Sequence, residues 1–287
     1  MDKDTPLKKT ILSYLNAETA SQLRLFSASF FNRITEIRLR AGQPLLIKTI
    51  NAEHNPGYIT TAKDIRETLE RVSQYSLYAF GDALKQGYIT LPGGHRVGAV
   101  GQVAAENGGM RHIGGLNFRV AHAIPGCADA VLPEIISGAE PLSIFNTLIV
   151  SPPGYGKTTL LRDIVRQLSN RGVTVGLVDE RSEIAGCYQG VPQNDVGCRT
   201  DVLDGCPKPI GMMRLLRTMA PDIIAVDELG GEQDTRAVEE IIRAGVKLIC
   251  TLHGGGAESI KKNSAFERFI VLDAPGKVGR VEKNDIC

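Results

Sequence analysis

The sequence contains no tryptophan, and only 5% of its 287 residues are aromatic. Proteins that bind single-stranded nucleic acid commonly stack the bases on aromatic side chains, so this scarcity argues against that class of protein. The sequence also lacks an excess of positive charge, because 33 Lys and Arg residues face 32 Asp and Glu residues and leave a net charge of +1. Since nucleic-acid binding depends on a strongly basic surface, we expect no nucleic-acid partner.

Long apolar runs are absent as well. No stretch approaches the roughly 18 apolar residues of a membrane-spanning helix, and the N-terminal region offers only the short run from Ile11 to Leu15. We therefore expect neither a transmembrane segment nor a secretory signal. The six cysteines have no C-x-x-C spacing and the five histidines are scattered, which favours reduced thiols in a cytoplasmic protein and disfavours a zinc site.

Two patterns of secondary structure divide the chain into a predicted domain at 1–128 and a second at 129–287, as its length favours. In the first, alternating apolar and charged residues predict a strand at 34–40, and Thr61 to Asp64 predict the start of a helix that runs to about Lys85. The other predicted elements are helices within 7–29 (buried residues Leu12, Leu15, Leu23, Leu25 and Phe26), a return strand at 45–48, and strands at 87–91, 95–103 and 116–121. The first domain is therefore predicted to be a smaller α+β domain with a small antiparallel sheet.

From Phe145 onward, predicted strands and helices alternate, which is typical of an α/β domain with a mostly parallel sheet. The predicted strands are 147–150, 173–178, 223–226, 248–252 and 269–272. The predicted helices are a short one at 130–136 and longer ones at 158–169, 210–219, 235–244 and 257–265. The helix at 158–169 carries a single apolar stripe, as expected where a helix packs on a sheet.

The strand at 147–150 is followed by Ser-Pro-Pro-Gly-Tyr-Gly-Lys-Thr (151–158) and then by a helix. This order is typical of a phosphate-binding loop, in which backbone N–H groups and the positive end of the helix bind phosphate anions. Lys157 would supply a point charge for the β- and γ-phosphates, and the Thr158 hydroxyl would hold Mg²⁺. The predicted nucleotide-binding residues are Pro153, Gly154, Tyr155, Gly156, Lys157, Thr158 and Thr159.

One position departs from the loop pattern G-x-x-x-x-G-K-[ST], since Ser151 stands where the pattern has its first glycine. Glycine permits backbone angles that other residues avoid, so we expect altered geometry at the entry of the loop rather than loss of binding. The alternative interpretation of the segment is a glycine-rich turn with an incidental lysine.

Two carboxylates, Asp227 and Glu228, end the apolar strand at 223–226. A phosphate-binding loop needs such a partner, because Asp227 can position the Mg²⁺ that Thr158 holds and Glu228 can deprotonate the attacking water. Neighbouring carboxylates repel one another without a cation, so the pair makes most sense around a divalent metal. The alternative is a buried strand that simply emerges into a solvated turn.

Other polar residues also follow predicted strands. Asp179 and Glu180 come after the strand at 173–178, and His253 follows the strand at 248–252. Because the carboxyl ends of parallel strands face the ligand crevice, Asp179 or Glu180 can touch metal-bound water and His253 can sense the γ-phosphate. The alternatives are a solvated turn whose acids pair locally with Arg181, and a histidine that is only a turn residue.

Several segments together resemble the stage III sporulation protein AA family, which is itself similar to the type II secretion, type IV pilus and conjugation ATPases. The most specific are Val-Asp-Glu-Arg-Ser-Glu-Ile-Ala-Gly (178–186) and Asp-Val-Gly-Cys-Arg-Thr-Asp-Val-Leu-Asp-Gly-Cys-Pro-Lys (195–208). Residues 36–44, 151–163, 212–228 and 251–254 extend the resemblance over nearly the whole chain. It implies a C-terminal RecA-like P-loop ATPase core that is preceded by the smaller α+β domain.

The resemblance also implies roles for individual residues. Asp179 and Glu180 fall on the acidic "Asp box" of the secretion ATPases, and His253 falls on their "His box". Together with the loop lysine and the strand-end base, the predicted catalytic residues are Glu228, Lys157, Glu180 and His253. Asp227 departs from many of these relatives, which carry glycine there, and suggests a fuller metal-binding pair. Arginines of the N-terminal domain reach the phosphates in the relatives; the candidates here are Arg96, Arg111 and Arg119, with Arg199, Arg214 and Arg217 as alternatives in the ATPase domain.

The resulting expectation is an ATPase with ATP and Mg²⁺ as cofactors. By resemblance, it forms a ring, expected to be hexameric, and lies in the cytoplasm at the inner face of a membrane complex. There it would power a secretion-like channel between mother cell and forespore during endospore formation, with membrane channel proteins as partners. Two alternatives stay open: a RecA-like ATPase stimulated by nucleic acid, and a ring subunit that binds ATP only for structural support.

Overall fold

The computed structural model describes residues 5–49, 51–74, 87–103, 110–138, 142–253, 265–275, 277 and 279–284. The chain divides into two compact units, residues 1–122 and residues 123–287. The sequence predicts this boundary slightly later, after residue 128. Residues 123–128 go with the second unit because the Ala128 N–H donates to the Asp163 carboxylate over 2.9 Å, and Ala128 packs into the core of that unit.

The first unit combines four described helices with antiparallel strands. The helices are α1 (Pro6–Tyr14), α2 (Ala17–Arg24), α3 (Ala28–Phe31) and α4 (Ala62–Val72). The strands are β1 (Ile34–Arg40), β2 (Gln43–Pro44), β3 (Leu46–Thr49), β4 (Glu53–His54), β5 (Ile59–Thr60), β6 (Tyr88–Leu91), β7 (His95–Val103) and β8 (Met110–Arg119). A six-stranded sheet has the order β4-β3-β1-β8-β7-β6, and β2 pairs with β5.

Strand β1 has the bounds that its alternating sequence predicts. Ile37 and Leu39 are fully buried, whereas the charged residues that alternate with them, Glu36, Arg38 and Arg40, lie on the opposite face of the sheet. Helix α4 begins after Thr61 in a capping box with Asp64, as predicted; the continuation of this helix at 75–86 lies outside the described residues. The prediction that Leu25 is buried is wrong: it follows α2 and is 82% exposed.

Burial of His95 in the first unit makes stability dependent on pH. The Nδ1 atom of His95 accepts a hydrogen bond from the Ala121 N–H over 3.0 Å, and burial lowers the pKa of His95 from 6.5 to about 4. Between these two pH values the unfolded chain binds a proton at His95 and the folded chain does not. The contribution of the neutral, buried His95 to the free energy of unfolding is therefore complete above pH 6.5. It is lost as the pH falls from 6.5 to 4, by roughly 3 kcal/mol in total.

The midpoint of urea unfolding therefore falls between pH 7 and pH 4.5 in the wild-type chain, and it falls less in a His95→Gln variant, in which the neutral amide does not titrate. A His112→Gln variant is the matched control, because His112 lies exposed on β8. Equal pH dependence of the His95→Gln variant and the wild-type chain contradicts this account.

The second unit is an α/β unit. Its described helices are α5 (Leu132–Ile135), α6 (Lys157–Asn170), α7 (Lys208–Thr218) and α8 (Glu232–Arg243). Its strands are β9 (Ile136–Ser137), β10 (Ser143–Ile144), β11 (Thr147–Ser151), β12 (Val175–Asp179), β13 (Thr200–Asp204), β14 (Ile223–Val226), β15 (Lys247–His253), β16 (Arg268–Val271) and β17 (Arg280–Lys283). None of the helices in the described part of the chain is long and apolar enough to cross a bilayer.

A seven-stranded sheet with the order β13-β12-β14-β15-β11-β16-β17 forms the middle layer of the second unit. Its strands run parallel except for β17, which is antiparallel to β16. One apolar cluster includes the buried stripe of α6, and another includes residues of α7 and α8. The predicted fold, an α/β unit with a mostly parallel sheet that follows an α+β unit in the sequence, is therefore confirmed.

The order of the strands matters for the site. Strand β15 lies between β11 and β14, and all three are parallel. The carboxyl ends of the three strands therefore lie side by side at one end of the sheet. The glycine loop follows β11 there, and Asp227 follows β14.

Two strands of this sheet were not predicted from the sequence. Strand β13 is only partly buried at the sheet edge, and β17 is the antiparallel addition at the other edge. Neither carries the long apolar run that marks a central parallel strand. The predicted helix at 257–265 falls almost entirely on 254–264, which lie outside the described residues.

Candidate functional site

The glycine loop begins where β11 ends and leads directly into α6. Gly154 and Gly156 have φ angles of +79° and +99°, a left-handed region that other residues adopt only with strain. Gly156 is the N-cap of α6 and offers no side chain to cap the helix. No side chain therefore caps the N-terminus of α6, which is the geometry that phosphate-binding loops require.

The Ser151 backbone is extended and forms the last residue of β11, so a non-glycine residue carries no strain here. The Ser151 hydroxyl donates to the Pro152 carbonyl oxygen over 2.9 Å. The same hydroxyl oxygen accepts from Lys157 Nζ over 3.5 Å, so the serine adds two local hydrogen bonds at the entry of the loop.

Lys157, the first residue of α6, is only 6% exposed. Its Nζ atom donates to the carbonyl oxygens of Ser151 at 2.9 Å and Pro152 at 3.1 Å. Burial lowers the pKa of Lys157, and the nearby carboxylates of Asp227 and Glu228 oppose that shift. The ammonium group is therefore held inside the loop by backbone oxygens.

The loop meets the strand-end acids at Thr158. The Thr158 hydroxyl donates to Asp227 Oδ2 over 2.8 Å, across the end of β15. No group of three or more His, Cys, Asp or Glu side chains suited to a metal ion occurs among the residues that the structure describes. A hydroxyl and one carboxylate nevertheless fit Mg²⁺, which binds through one or two protein oxygens and completes its shell with water and phosphate.

Thr251, a residue that the sequence did not single out, connects both acids. It is fully buried on β15, its hydroxyl donates to Asp227 Oδ1, and the same hydroxyl oxygen accepts from the Glu228 N–H over 2.8 Å. The Leu229 N–H also donates to the Thr251 carbonyl oxygen over 2.9 Å. The Thr251 side chain thus positions both the Asp227 carboxylate and the backbone of Glu228.

A Thr251→Val variant keeps the shape of the side chain but leaves the Glu228 N–H and the Asp227 carboxylate without this partner. We expect its free energy of unfolding to fall by about 1–3 kcal/mol and its ATP turnover to fall about tenfold or more. A Thr251→Ser variant retains the hydroxyl and restores most of both quantities. Thermal unfolding and phosphate release measure the two effects; unchanged turnover in the valine variant would remove the positioning role.

Glu228 itself lies in the left-handed region, with a φ angle of +54°, and is partly buried. Arg181 Nη1 donates to Glu228 Oε2 over 2.7 Å, and Lys208 Nζ donates to the Glu228 carbonyl oxygen over 2.7 Å. The alternative in which Arg181 pairs with acids of its own turn is therefore wrong, because Arg181 pairs with Glu228 at the end of β14. Sequence reasoning missed Lys208, although it ends the motif at 195–208.

Asp179 and Glu180 have different surroundings. Asp179 is 1% exposed, and its carboxylate accepts from the backbone N–H groups of Glu183, Ile184 and Ala185 at 2.8–3.1 Å. Burial raises the pKa of Asp179 while these three donors oppose the rise. Asp179 therefore holds the turn after β12, whereas Glu180 Oε2 lies 3.1 Å from Lys208 Nζ at the same crevice.

His253 is the last residue of β15, where its backbone lies opposite Ser151 in the parallel ladder. The strand end thus stands beside the start of the glycine loop. Roles for His253 at the γ-phosphate and for Glu180 in catalysis stay predictions.

The candidate arginines of the first unit lie on two neighbouring strands. Arg96 on β7 stands directly opposite Arg119 on β8, and the Arg96 guanidinium lies 4.5 Å from the ring centroid of Tyr88. Arg111 lies exposed near the start of β8. Two like charges opposite one another cost stability in a sheet, but Glu36 on β1 stands directly opposite Arg119 on its other side and supplies a negative charge there.

Arg199 and Arg217, two of the candidate arginines of the second unit, lie toward the amino ends of the parallel strands, away from the glycine loop. Arg199 Nη2 donates to Thr174 Oγ1 over 3.3 Å, before β12 begins. Helix α7 starts at Lys208 beside Glu228, so its last turn, which carries Arg217, lies about 15 Å further along its axis; Arg214 lies within the second half of this helix. Contact of any of these three arginines with a nucleotide stays a prediction.

The sequence as a whole matches a family model described as sporulation stage III, protein AA, over residues 7–284. It is 41% identical over 273 residues to the stage III sporulation protein AA of Bacillus subtilis strain 168, and the match covers 88% of this chain and 87% of that protein.

Solved structures show the same fold at low sequence identity. The ATPase DotB of Legionella pneumophila is similar with a TM-score of 0.55 and 15% identity, over 88% of this chain and 75% of that one. The pilus retraction motor PilT, solved with bound ADP, is similar with a TM-score of 0.56 and 14% identity, over 83% of this chain and 74% of that one. The second unit therefore has a RecA-like core.

Proposed function

The chain belongs to the sporulation stage III protein AA family, and from that premise we propose that it is a Mg²⁺-dependent ATPase. The observation that carries the proposal is the 2.8 Å hydrogen bond from Thr158 to Asp227. It joins the glycine loop to the strand-end acid across β15, which supports a site in which the loop binds phosphate, Thr158 and Asp227 hold a metal, and Glu228 is the base.

In the proposed reaction, the loop amides and Lys157 bind the phosphates, and Thr158 and Asp227 hold the metal. Mg²⁺ would neutralise charge on the phosphate oxygens. Glu228 orients the attacking water and accepts its proton during in-line displacement at the γ-phosphate. Glu180 and His253 border the same edge of the sheet and are proposed to assist from the ends of β12 and β15.

For the assembly, we propose a homo-oligomeric ring, hexameric by analogy, in the cytoplasm at the face of a membrane complex. Motion of the α+β unit against the ATPase unit would convert hydrolysis into work on membrane channel proteins during endospore formation. The opposed pair Arg96 and Arg119, together with Arg111, is the proposed source of a transition-state contact from a neighbouring subunit. Alanine at each position, assayed for turnover and assembly mass together, identifies the arginine that acts.

The experiment that tests the function measures native mass and phosphate release with and without Mg–ATP. The proposal expects ATP-dependent assembly and sustained phosphate release. Tight ATP binding without release selects the structural ring subunit instead. A turnover that rises steeply on addition of single-stranded DNA or RNA and falls with salt selects the nucleic-acid-stimulated ATPase.

A further inference from the structure

Two cations hold Glu228 at two different points. Arg181, from the turn after β12, contacts the carboxylate at 2.7 Å, and Lys208, the first residue of α7, contacts the carbonyl oxygen at 2.7 Å. The residue that stands where a hydrolytic base is required is therefore fixed by parts of the chain that lie 47 and 20 residues away.

The contacts of Arg181 and Lys208 with Glu228 differ in how easily they break. The side chain of Lys208 is 16% exposed and is also paired with Glu180, and the Glu228 N–H is bonded to the buried Thr251. These contacts fix the backbone of Glu228 in its left-handed conformation, which a non-glycine residue keeps only when its surroundings enforce it. Arg181, by contrast, is 61% exposed, and exposed ion pairs are weak and easily exchanged.

The carboxylate contact has a chemical consequence. A base must accept a hydrogen bond from the attacking water, with its oxygen within about 3 Å of that water. The Oε2 atom of Glu228 instead accepts a guanidinium N–H. A charged donor binds a carboxylate more strongly than neutral water does, so Arg181 competes with the attacking water for the acceptor sites of Glu228.

A phosphate anion can draw Arg181 away. Arg181, Lys208 and Glu228 line the same small crevice as Asp227, and Asp227 touches the loop residue Thr158. A bound triphosphate would bring several negative charges to this crevice, and guanidinium groups pair readily with phosphate oxygens. Binding of nucleotide thus offers Arg181 a second acceptor.

We propose that Arg181 is a positioning residue that competes with the attacking water for the Glu228 carboxylate, and that it does so less once nucleotide fills the site, while Lys208 permanently sets the Glu228 backbone. The proposal rests on the proposed ATPase function. It predicts effects of opposite sign at the two cations: loss of Arg181 frees the base, and loss of Lys208 misplaces it.

The kinetic test compares kcat and KM for ATP. An Arg181→Ala variant should raise kcat about two- to fivefold with KM within about twofold, the range that corresponds to loss of one exposed ion pair. An Arg181→Lys variant, which keeps a cation at this position, should stay close to the wild-type rate, and a Lys208→Ala variant should fall below it. Arg243→Ala is the matched control, since Arg243 forms an exposed ion pair with Glu239 on α8, 3.6 Å long. An Arg181→Ala rate equal to or below the wild-type rate overturns the proposal.

A second measurement separates failure of this proposal from failure of the ATPase function. Thermal unfolding of wild type, Arg181→Ala, Glu228→Gln and the double variant gives the coupling between the two side chains without any hydrolysis. Coupling should be present in the free protein and fall, without vanishing, with Mg²⁺ and a non-hydrolysable ATP analogue, because the coupling that remains in the complex is what the rise in kcat of the Arg181→Ala variant reports. No coupling in the free protein, or equal coupling with and without the analogue, overturns the proposal even if the chain hydrolyses ATP.

Discussion

A Glu228→Gln variant is expected to hydrolyse ATP about 10²- to 10⁴-fold more slowly than the wild-type chain, because an amide cannot accept the proton of the attacking water. ATP affinity should stay within about twofold, since Lys157, Thr158 and Asp227 are unchanged and the contacts of the Glu228 backbone with Thr251 and Lys208 remain. Single-turnover phosphate release and equilibrium binding of a fluorescent ATP analogue measure the two quantities.

The matched control for this variant is Glu239→Gln, because Glu239 is a half-exposed acid on α8 that pairs only over 3.6 Å with Arg243. It should hydrolyse ATP at the wild-type rate. If Glu228→Gln also turned over at that rate, the assignment of the base to Glu228 would be refuted, and Glu180 at the end of the neighbouring strand would be the next candidate.

The second large effect is expected at the loop. A Lys157→Ala variant should bind ATP about 10- to 100-fold more weakly, which corresponds to loss of one charged hydrogen bond to phosphate. The buried ammonium also bonds the carbonyl oxygens of Ser151 and Pro152, so its removal loosens the loop that the phosphates need. Isothermal calorimetry measures the affinity.

Lys247→Ala serves as the control for this variant, because Lys247 begins β15 at the opposite edge of the sheet and pairs with Glu267 over 3.0 Å. Circular dichroism checks that both variants fold. Wild-type affinity in the Lys157→Ala variant would mean that nucleotide binds elsewhere or that the loop is only a turn.

Local signals in the sequence were sufficient for most of the fold. Alternation predicted β1 to both of its bounds, the Thr61 to Asp64 pattern predicted the start of α4, and the apolar strand before the glycine loop predicted β11 and α6. Each of these signals depends on neighbours within a few residues, where propensity and periodicity act directly. The edge strands β13 and β17 were missed because a strand at an edge depends on its partner more than on its own sequence.

The sequence predicted only part of the site, because several of its contacts depend on residues that are distant in the chain. Lys157, Thr158 and Asp227 lie in recognisable segments, and parallel strand order brings them together. The pairing of Arg181 with Glu228 spans 47 residues, and Thr251 is an ordinary strand residue until the fold places it between the two acids. Such contacts come from tertiary structure and leave no periodic signal in the chain.

The most direct measurement is calorimetric titration of the wild-type chain and an Asp227→Asn variant with ATP, once in excess Mg²⁺ and once in excess EDTA. The wild-type chain should bind ATP more tightly with Mg²⁺, and most of that gain should vanish in the variant, because Asp227 and Thr158 hold the metal beside the phosphates. Equal wild-type affinity in both buffers, or no binding in either, would contradict the account.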